Sequence, residues 1–194
     1  HHHLRYRELQ VHSKIISIVL KEGEELRYIT HLGTGNYNES TSKQYTDLNI
    51  VTSDKKIGED AVAFFRNVSI CNTEFEYERL LVAPKTLKSG LIRYMDREIE
   101  KAKNGEEGYI LGEEMEMYIS SADLMTRNTD KRVEIAAPVL DSRIADRIVG
   151  ILQTMLADNI KARKLCADGE YRKVETLGDP LDAQAYFLSE ANRK

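Results

Sequence analysis

The residues best suited to chemistry lie near the start of the chain, in Val11-His12-Ser13-Lys14-Ile15 and in His31-Leu32-Gly33-Thr34-Gly35-Asn36-Tyr37-Asn38. The first run reads as a strand. Side chains two apart on a strand point the same way, so His12 and Lys14 share a face about 7 Å apart along the chain. A neutral imidazole is a nucleophile for phosphorus. An adjacent ammonium and converging loop amides hold the negative charge on phosphoryl oxygens. Gly33 and Gly35 permit positive φ, which lets the amides of Gly33, Thr34, Gly35 and Asn36 turn toward an anion. The same spacing also fits a satisfied histidine and a solvated lysine on a half-buried strand. A G-x-G-N run by itself equally fits a plain turn.

The longer pattern narrows the choice. His-x-Lys, then His-Leu-Gly-Thr-Gly-Asn-Tyr-Asn, Thr41, Tyr45-Thr46-Asp47 and Ile119-Ser120-Ser121-Ala122-Asp123, resembles the C-terminal catalytic region of the bacterial polyphosphate kinases. These work through a phosphohistidine and belong to the phospholipase D superfamily. The resemblance runs from about Leu9 to the last helix. It implies an α/β fold of two phospholipase-D-like halves, with mixed sheets flanked by helices and the second half truncated. It implies a reversible transfer of the terminal ATP phosphate to polyphosphate. His12 would be the nucleophile, Lys14 its phosphoryl partner, and Asn36 the group orienting imidazole or phosphate. Tyr45 matches the family tyrosine that contacts ATP. Gly33, Thr34, Gly35 and Asn38 would line the phosphate site. Asp123, Arg127 and Arg132, with Asn128 nearby, would be the second half's share. His31 reads as structural. The superfamily motif places an aspartate five residues after the lysine, where this chain has Val19. That departure counts against a phosphodiesterase, the alternative enzyme reading.

The elements follow from periodicity. Residues 9–20 alternate as a strand, with Val11, Ile15 and Val19 on one face. The polar turn Lys21-Glu22-Gly23-Glu24 returns the chain as an antiparallel strand over Leu26–Leu32. Asn38 is an expected N-cap for a helical turn through Gln44, and Tyr45–Thr52 is extended. Ile57–Ser69 is an amphipathic helix with Ile57, Val62, Phe65 and Val68 inside. Arg79–Ala83 is a short strand stopped by Pro84, where a boundary divides residues 1–83 from 84–194. Leu87–Lys103 is a helix ended by Asn104-Gly105. Met117–Ser120 is a strand, Ala122–Lys131 a polar loop, and Arg132–Pro138 a strand. Asp141–Asn159 is a helix capped by Asp141 or Ser142, with Ile144, Ile148, Ile151, Leu152, Met155 and Leu156 on one stripe. Lys161–Leu165 is a basic strand, and Leu181–Ala191 a final helix.

Composition bounds the remaining possibilities. The 194 residues are 41% hydrophobic and 31% charged, which is globular rather than disordered. The net charge of −4 disfavours a broad nucleic-acid footprint. The two cysteines, Cys71 and Cys166, suggest neither a disulfide framework nor a metal site. No apolar run approaches the ~20 residues of a membrane span. A cytoplasmic setting is the expectation. His1-His2-His3 has the form of a purification-tag remnant.

One family feature has no counterpart. No histidine follows His31, whereas the resemblance calls for a second functional histidine shortly before Tyr118-Ile119-Ser120-Ser121. Two family segments abut near Tyr109–Leu111. The family's N-terminal domains and its magnesium-linked arginines are absent from the sequence as well. Mg²⁺ is therefore expected with the substrates ATP and ADP, but with its ligands outside this chain. The resemblance further implies homo-oligomers in the full-length protein and no activity for this chain alone. A non-catalytic assembly module is the remaining alternative.

Overall fold

The computed structural model describes residues 9–105, 116–175 and 178–193. The chain divides into two compact units, His1–Val139 and Leu140–Lys194. The first contains β1 (Gln10–Val11), β2 (Lys14–Glu22), β3 (Glu25–Gly33), α1 (Glu39–Ser42), β4 (Asn49–Thr52) and α2 (Lys55–Ser69). It continues with β5 (Leu81–Val82), α3 (Leu87–Lys103), β6 (Tyr118–Ser120), α4 (Thr126–Lys131), β7 (Arg132–Val133) and β8 (Ile135–Pro138). The second contains α5 (Ser142–Leu156), β9 (Arg163–Leu165), β10 (Tyr171–Lys173) and α6 (Ala183–Ala191).

The expected hairpin forms. β2 and β3 pair antiparallel from Lys14↔Gly33 to Glu22↔Glu25, turning at Gly23 with φ of +64°. β4 adds to the other edge of β3. The pairs Ile15↔Leu32, Ser17↔Thr30 and Val19↔Tyr28 share one sheet face. On that face Tyr28, Thr30 and Leu32 are buried, and α2 covers it. An added Cβ on Gly58 of α2 would lie 2.3 Å from Tyr28 Cβ, so only glycine allows this approach. Asp54 caps α2 by accepting from the Ile57 amide. The buried apolar side chains of α2 are Ile57, Ala61 and Phe64, a three- and four-residue spacing. Phe65, expected inside, is exposed, and Val62 and Val68 are only half-buried. One residue of phase decides this, because Gly58 and Ala61 set the flat side of the helix against the sheet.

The expected strand over residues 9–20 is broken at His12-Ser13. β1 leaves the hairpin sheet and pairs in parallel with β7. The His12 N–H and the Ser13 hydroxyl both donate to the Val133 carbonyl, at 3.0 and 2.9 Å. The expected strand over Arg132–Pro138 is likewise split at Glu134. β7 pairs with β1, while β8 sits between β5 and β6 in an antiparallel sheet of order β5-β8-β6. Residues 126–131, expected as loop, form α4. Asn128 and Thr129 are buried there, so packing rather than propensity decides its helicity. The carboxylate of Asp60 accepts from the amides of Glu78, Arg79 and Leu80 and fixes the approach to β5. Leu81, Ala83, Leu87 and Ala136 form the core beneath this sheet. The junction expected near Tyr109–Leu111 lies outside the described residues.

In the second unit, Asp141 caps α5 through the Arg143 amide. The expected apolar stripe is largely uncovered among the described residues: Ile144, Leu152, Met155 and Leu156 are exposed, and Ala145 is the one buried residue of the helix. Asp158 organises the rest. Its Oδ1 accepts from the amides of Ile160, Lys161 and Ala162, and its Oδ2 from Ala183 at the start of α6. β9 and β10 form a small antiparallel hairpin; only its first strand was expected. Among the described residues, no helix is long and apolar enough to cross a membrane.

Candidate active site

The break between β1 and β2 places His12 where three elements meet. Its side chain is 29% exposed, so the ring remains reachable from solvent. Lys14 opens β2 and is nearly buried at 7% exposure. Its ammonium Nζ lies 2.9 Å from His12 Nδ1 and 3.0 Å from Nε2, and donates to the His12 carbonyl at 2.6 Å. The shared face expected from strand spacing is thus converted into direct contact at the ring edge.

The third member comes from the split between β7 and β8. Glu134 is wholly buried, and its Oε1 lies 2.9 Å from His12 Nδ1. This is a charge contact rather than an aligned hydrogen bond, since Oε1 accepts none among the described residues. The other oxygen, Oε2, accepts from the Ser121 hydroxyl at 2.6 Å. The Arg132 guanidinium stands 3.7 Å from Oε1. Burial pulls the Lys14 ammonium below its ordinary pKa; Glu134 opposes that shift, Arg132 adds to it, and Asp47 opposes it. A carboxylate beside Nδ1 favours the tautomer with its proton on Nδ1 and the lone pair on Nε2.

The glycine loop is built differently from the expectation. Neither Gly33 nor Gly35 has positive φ. Both instead sit close to neighbouring side-chain ends that would have to shift: an added Cβ on Gly35 would lie 1.9 Å from Asp47 Oδ2, and one on Gly33 2.5 Å from Asn49 Oδ1. The Thr34 amide donates to the Leu48 carbonyl, its hydroxyl to Asp47 Oδ1, and the Asn38 amide to the Asn36 carbonyl. Of the four loop amides expected to face an anion, that of Thr34 is thereby committed within the protein. Asn38 caps α1, accepting from the Ser40 and Thr41 amides at 3.0 and 3.2 Å. The loop nonetheless borders an open pocket of about 530 Å³, lined among others by His31, Asn36, Asn38, Tyr45 and Asp47. Tyr45 is 68% exposed there, so it is not a core aromatic. His31 Nδ1 and the Tyr37 hydroxyl are 2.7 Å apart, which gives His31 a local structural partner.

The structure therefore joins His12, Lys14 and Arg132, and groups Gly35, Asn36, Asn38 and Tyr45 about the pocket. Asn36 makes no hydrogen bond to His12. Asp123 and Arg127 are exposed, with no contact to His12 among the described residues; Asp123 contributes its carbonyl to Asn128 Nδ2 at 3.2 Å. Sequence reasoning missed Glu134 and Ser121. A signal was present, because Glu134 is a lone acid inside Val133-Glu134-Ile135-Ala136-Ala137. A charge in such a run is buried only when paired.

Comparisons with known proteins place this geometry. The fold is that of the phospholipase-D-like α/β proteins. The chain matches the solved structure of polyphosphate kinase from Porphyromonas gingivalis with a TM-score of 0.81 and 25% identity, over 96% of this chain and 40% of that one. The model of polyphosphate kinase C-terminal domain 1 matches residues 3–74, and that of C-terminal domain 2 matches residues 111–184. The chain belongs to the polyphosphate kinase family, a family of phosphotransferases, and corresponds to its C-terminal region. It is 33% identical to the polyphosphate kinase of Staphylococcus epidermidis over 94% of this chain and 34% of that protein. The Bacillus cereus enzyme is 31% identical over 84% of this chain and 33% of its own length. The chain thus spans about a third of the curated relatives it matches. The S. epidermidis match is 249 residues long, longer than this 194-residue chain. That relative therefore carries residues inside the matched stretch that are missing here.

Proposed function

We propose that this chain carries the first half of a phosphohistidine site that transfers the terminal phosphate of ATP to polyphosphate. The observation that supports this best is the imidazole of His12 held between the Lys14 ammonium and the buried Glu134 carboxylate. With the proton on Nδ1, Nε2 attacks the γ-phosphorus, the bond to the β-γ bridging oxygen breaks, and ADP leaves with that electron pair. Positive charge then builds on the ring, and Glu134 offsets it. Lys14 moves from the ring edge to an equatorial oxygen of the incoming group. A terminal oxygen of polyphosphate next attacks the phosphorus, the N–P bond breaks, and the polymer is one unit longer. Tyr45 stacks or hydrogen-bonds the nucleotide in the open pocket. Arg132 steadies Glu134 and adds positive charge near the reacting group.

Mg²⁺ accompanies such substrates. Among the described residues, no group of three or more His, Cys, Asp and Glu could hold a metal. Its ligands are expected outside this chain, and no step above passes through it. Asp123 and Arg127 belong to the second half's contribution, with a boundary between the halves near Pro84. The full-length enzyme acts on ATP, ADP and polyphosphate, as a cytoplasmic homo-oligomer.

Because no histidine follows His31, the isolated chain is expected to show no ATP-dependent polyphosphate synthesis. His12 should still accept phosphate from phosphoramidate, read by mass spectrometry, and His12→Ala should abolish that labelling. Equal labelling of the variant would overturn the proposal. The missing second histidine also favours an assembly role for this particular chain. Absence of any His12 labelling, in a chain that remains folded, would select that reading.

A further inference from the structure

The hairpin of the second unit has a charge arrangement that no packing requirement explains. β9 and β10 pair Arg163 with Lys173, Lys164 with Arg172, and Leu165 with Tyr171. All six are exposed. Two of the three cross-strand pairs therefore set cation directly opposite cation, which destabilises a sheet. Arg172 is tied to Asp168 across the turn, and Asp168 also accepts from the Glu170 amide. Arg163, Lys164 and Lys173 have no ion pair among the described residues, although Glu170 and Glu175 belong to the same segment. Strand alternation places Arg163 and Lys173 together with Leu165 and Tyr171 on one face, and Lys164 on the other.

An anion laid along such an exposed ribbon relieves the like-charge opposition of its cross-strand pairs. We propose that the β9–β10 hairpin is a binding surface for linear inorganic polyphosphate, held by Arg163 and Lys173 on one face, with Lys164 on the other adding to the local positive potential. The ligand class rests on the functional reading above, and the residues are those of the second unit alone. A linear chain laid on the face of Arg163 and Lys173 presents a separate phosphate to each of these two cations. Nucleic acid is the less favoured polyanion, because the chain's net charge is −4 and the ribbon offers one exposed ring, Tyr171.

The test measures binding of the whole chain to inorganic polyphosphate across a series of salt concentrations. Each lost phosphate contact lowers the log–log salt slope by roughly 0.7–0.9. The double variant Arg163→Ala, Lys173→Ala should thus lose about 1.5 from the slope. The exchange Arg163→Lys, Lys173→Arg should leave it unchanged. Lys173→Glu converts a facing like-charge pair into an opposite one, so it should raise the Tm of the second unit while weakening binding. An unchanged slope in the alanine variant, a lower Tm in Lys173→Glu, or equal affinity for single-stranded RNA of the same phosphate number would each overturn the inference. The two proposals fail separately. Loss of His12 labelling with hairpin-dependent binding intact removes the phosphohistidine reading alone. Labelling intact with a hairpin-independent slope removes this inference alone.

Discussion

Replacing Glu134 by Gln keeps the shape of a wholly buried side chain and removes its charge. Four groups feel the change. His12 loses the anion 2.9 Å from Nδ1, Arg132 loses its partner at 3.7 Å, and Ser121 donates to a neutral amide oxygen instead of a carboxylate. Lys14 loses the carboxylate that counters its burial, so its pKa falls further. Breaking a buried charge cluster by removing one sign costs about 3–5 kcal/mol. Oε1 has no aligned hydrogen bond to lose among the described residues, so the lower end, about 3 kcal/mol, is expected, with a Tm lower by roughly 10 °C. The effect on chemistry is larger in proportion. Loss of an acid that orients and balances a reacting imidazole lowers rates by on the order of 10²–10⁴. The assay is the rate of His12 phosphorylation by phosphoramidate, measured below the melting transition. Ser121→Ala is the graded control. It removes one charge-assisted hydrogen bond, worth about 1.5–3 kcal/mol, but leaves the carboxylate charged, so labelling should slow by roughly tenfold. A folded Glu134→Gln protein labelled at the parent rate would refute the reasoning. If that variant does not fold, an unchanged rate in Ser121→Ala would refute it instead.

Two further outcomes follow from the packing and capping. Alanine for glycine inside a helix normally stabilises by about 1 kcal/mol, and Gly150 of α5, with nothing within 4 Å of an added Cβ, should obey that rule. Gly58→Ala should instead destabilise by about 1–3 kcal/mol, because its Cβ would meet Tyr28 Cβ at 2.3 Å; thermal melts showing the same sign for both would contradict the α2–β3 packing. Backbone hydrogen bonds, that from Ala183 foremost, hold the Asp158 carboxyl down at about 2, against 3.8 for a free aspartate. A depressed acid contributes stability above its unfolded pKa and loses it as pH falls through its folded one. The second unit should therefore weaken between about pH 4 and pH 2, and Asp158→Asn should flatten that dependence in acid titrations followed by circular dichroism.

Local signals settled much of the architecture. The turn at Gly23, the caps at Asn38 and Asp141, and the ends of α3 are short-range matters of backbone and nearby side chains, so residue types reveal them. Phe65 shows the limit of the same reasoning. The helix around it was evident, but its rotation depended on Gly58 meeting Tyr28, a contact thirty positions away in sequence. The stripe on α5 shows another limit, since amphipathic spacing announces an apolar face without supplying what covers it. The glycines of the loop were recognised for the wrong reason. Their φ is not positive, and what lies beside them is the side-chain ends of Asp47 and Asn49.

By itself, the sequence determined the family, the paired His12 and Lys14, and the candidate nucleotide contact at Tyr45, because these depend on residue identity at short spacing. Only the tertiary structure brought in Glu134 and Ser121. Glu134 lies 122 residues after His12, and nothing in a linear chain states which distant carboxylate will be buried beside a given ring. That was decided when β1 left the hairpin sheet to pair with β7, since the bond from His12 to the Val133 carbonyl sets the ring against the next residue along.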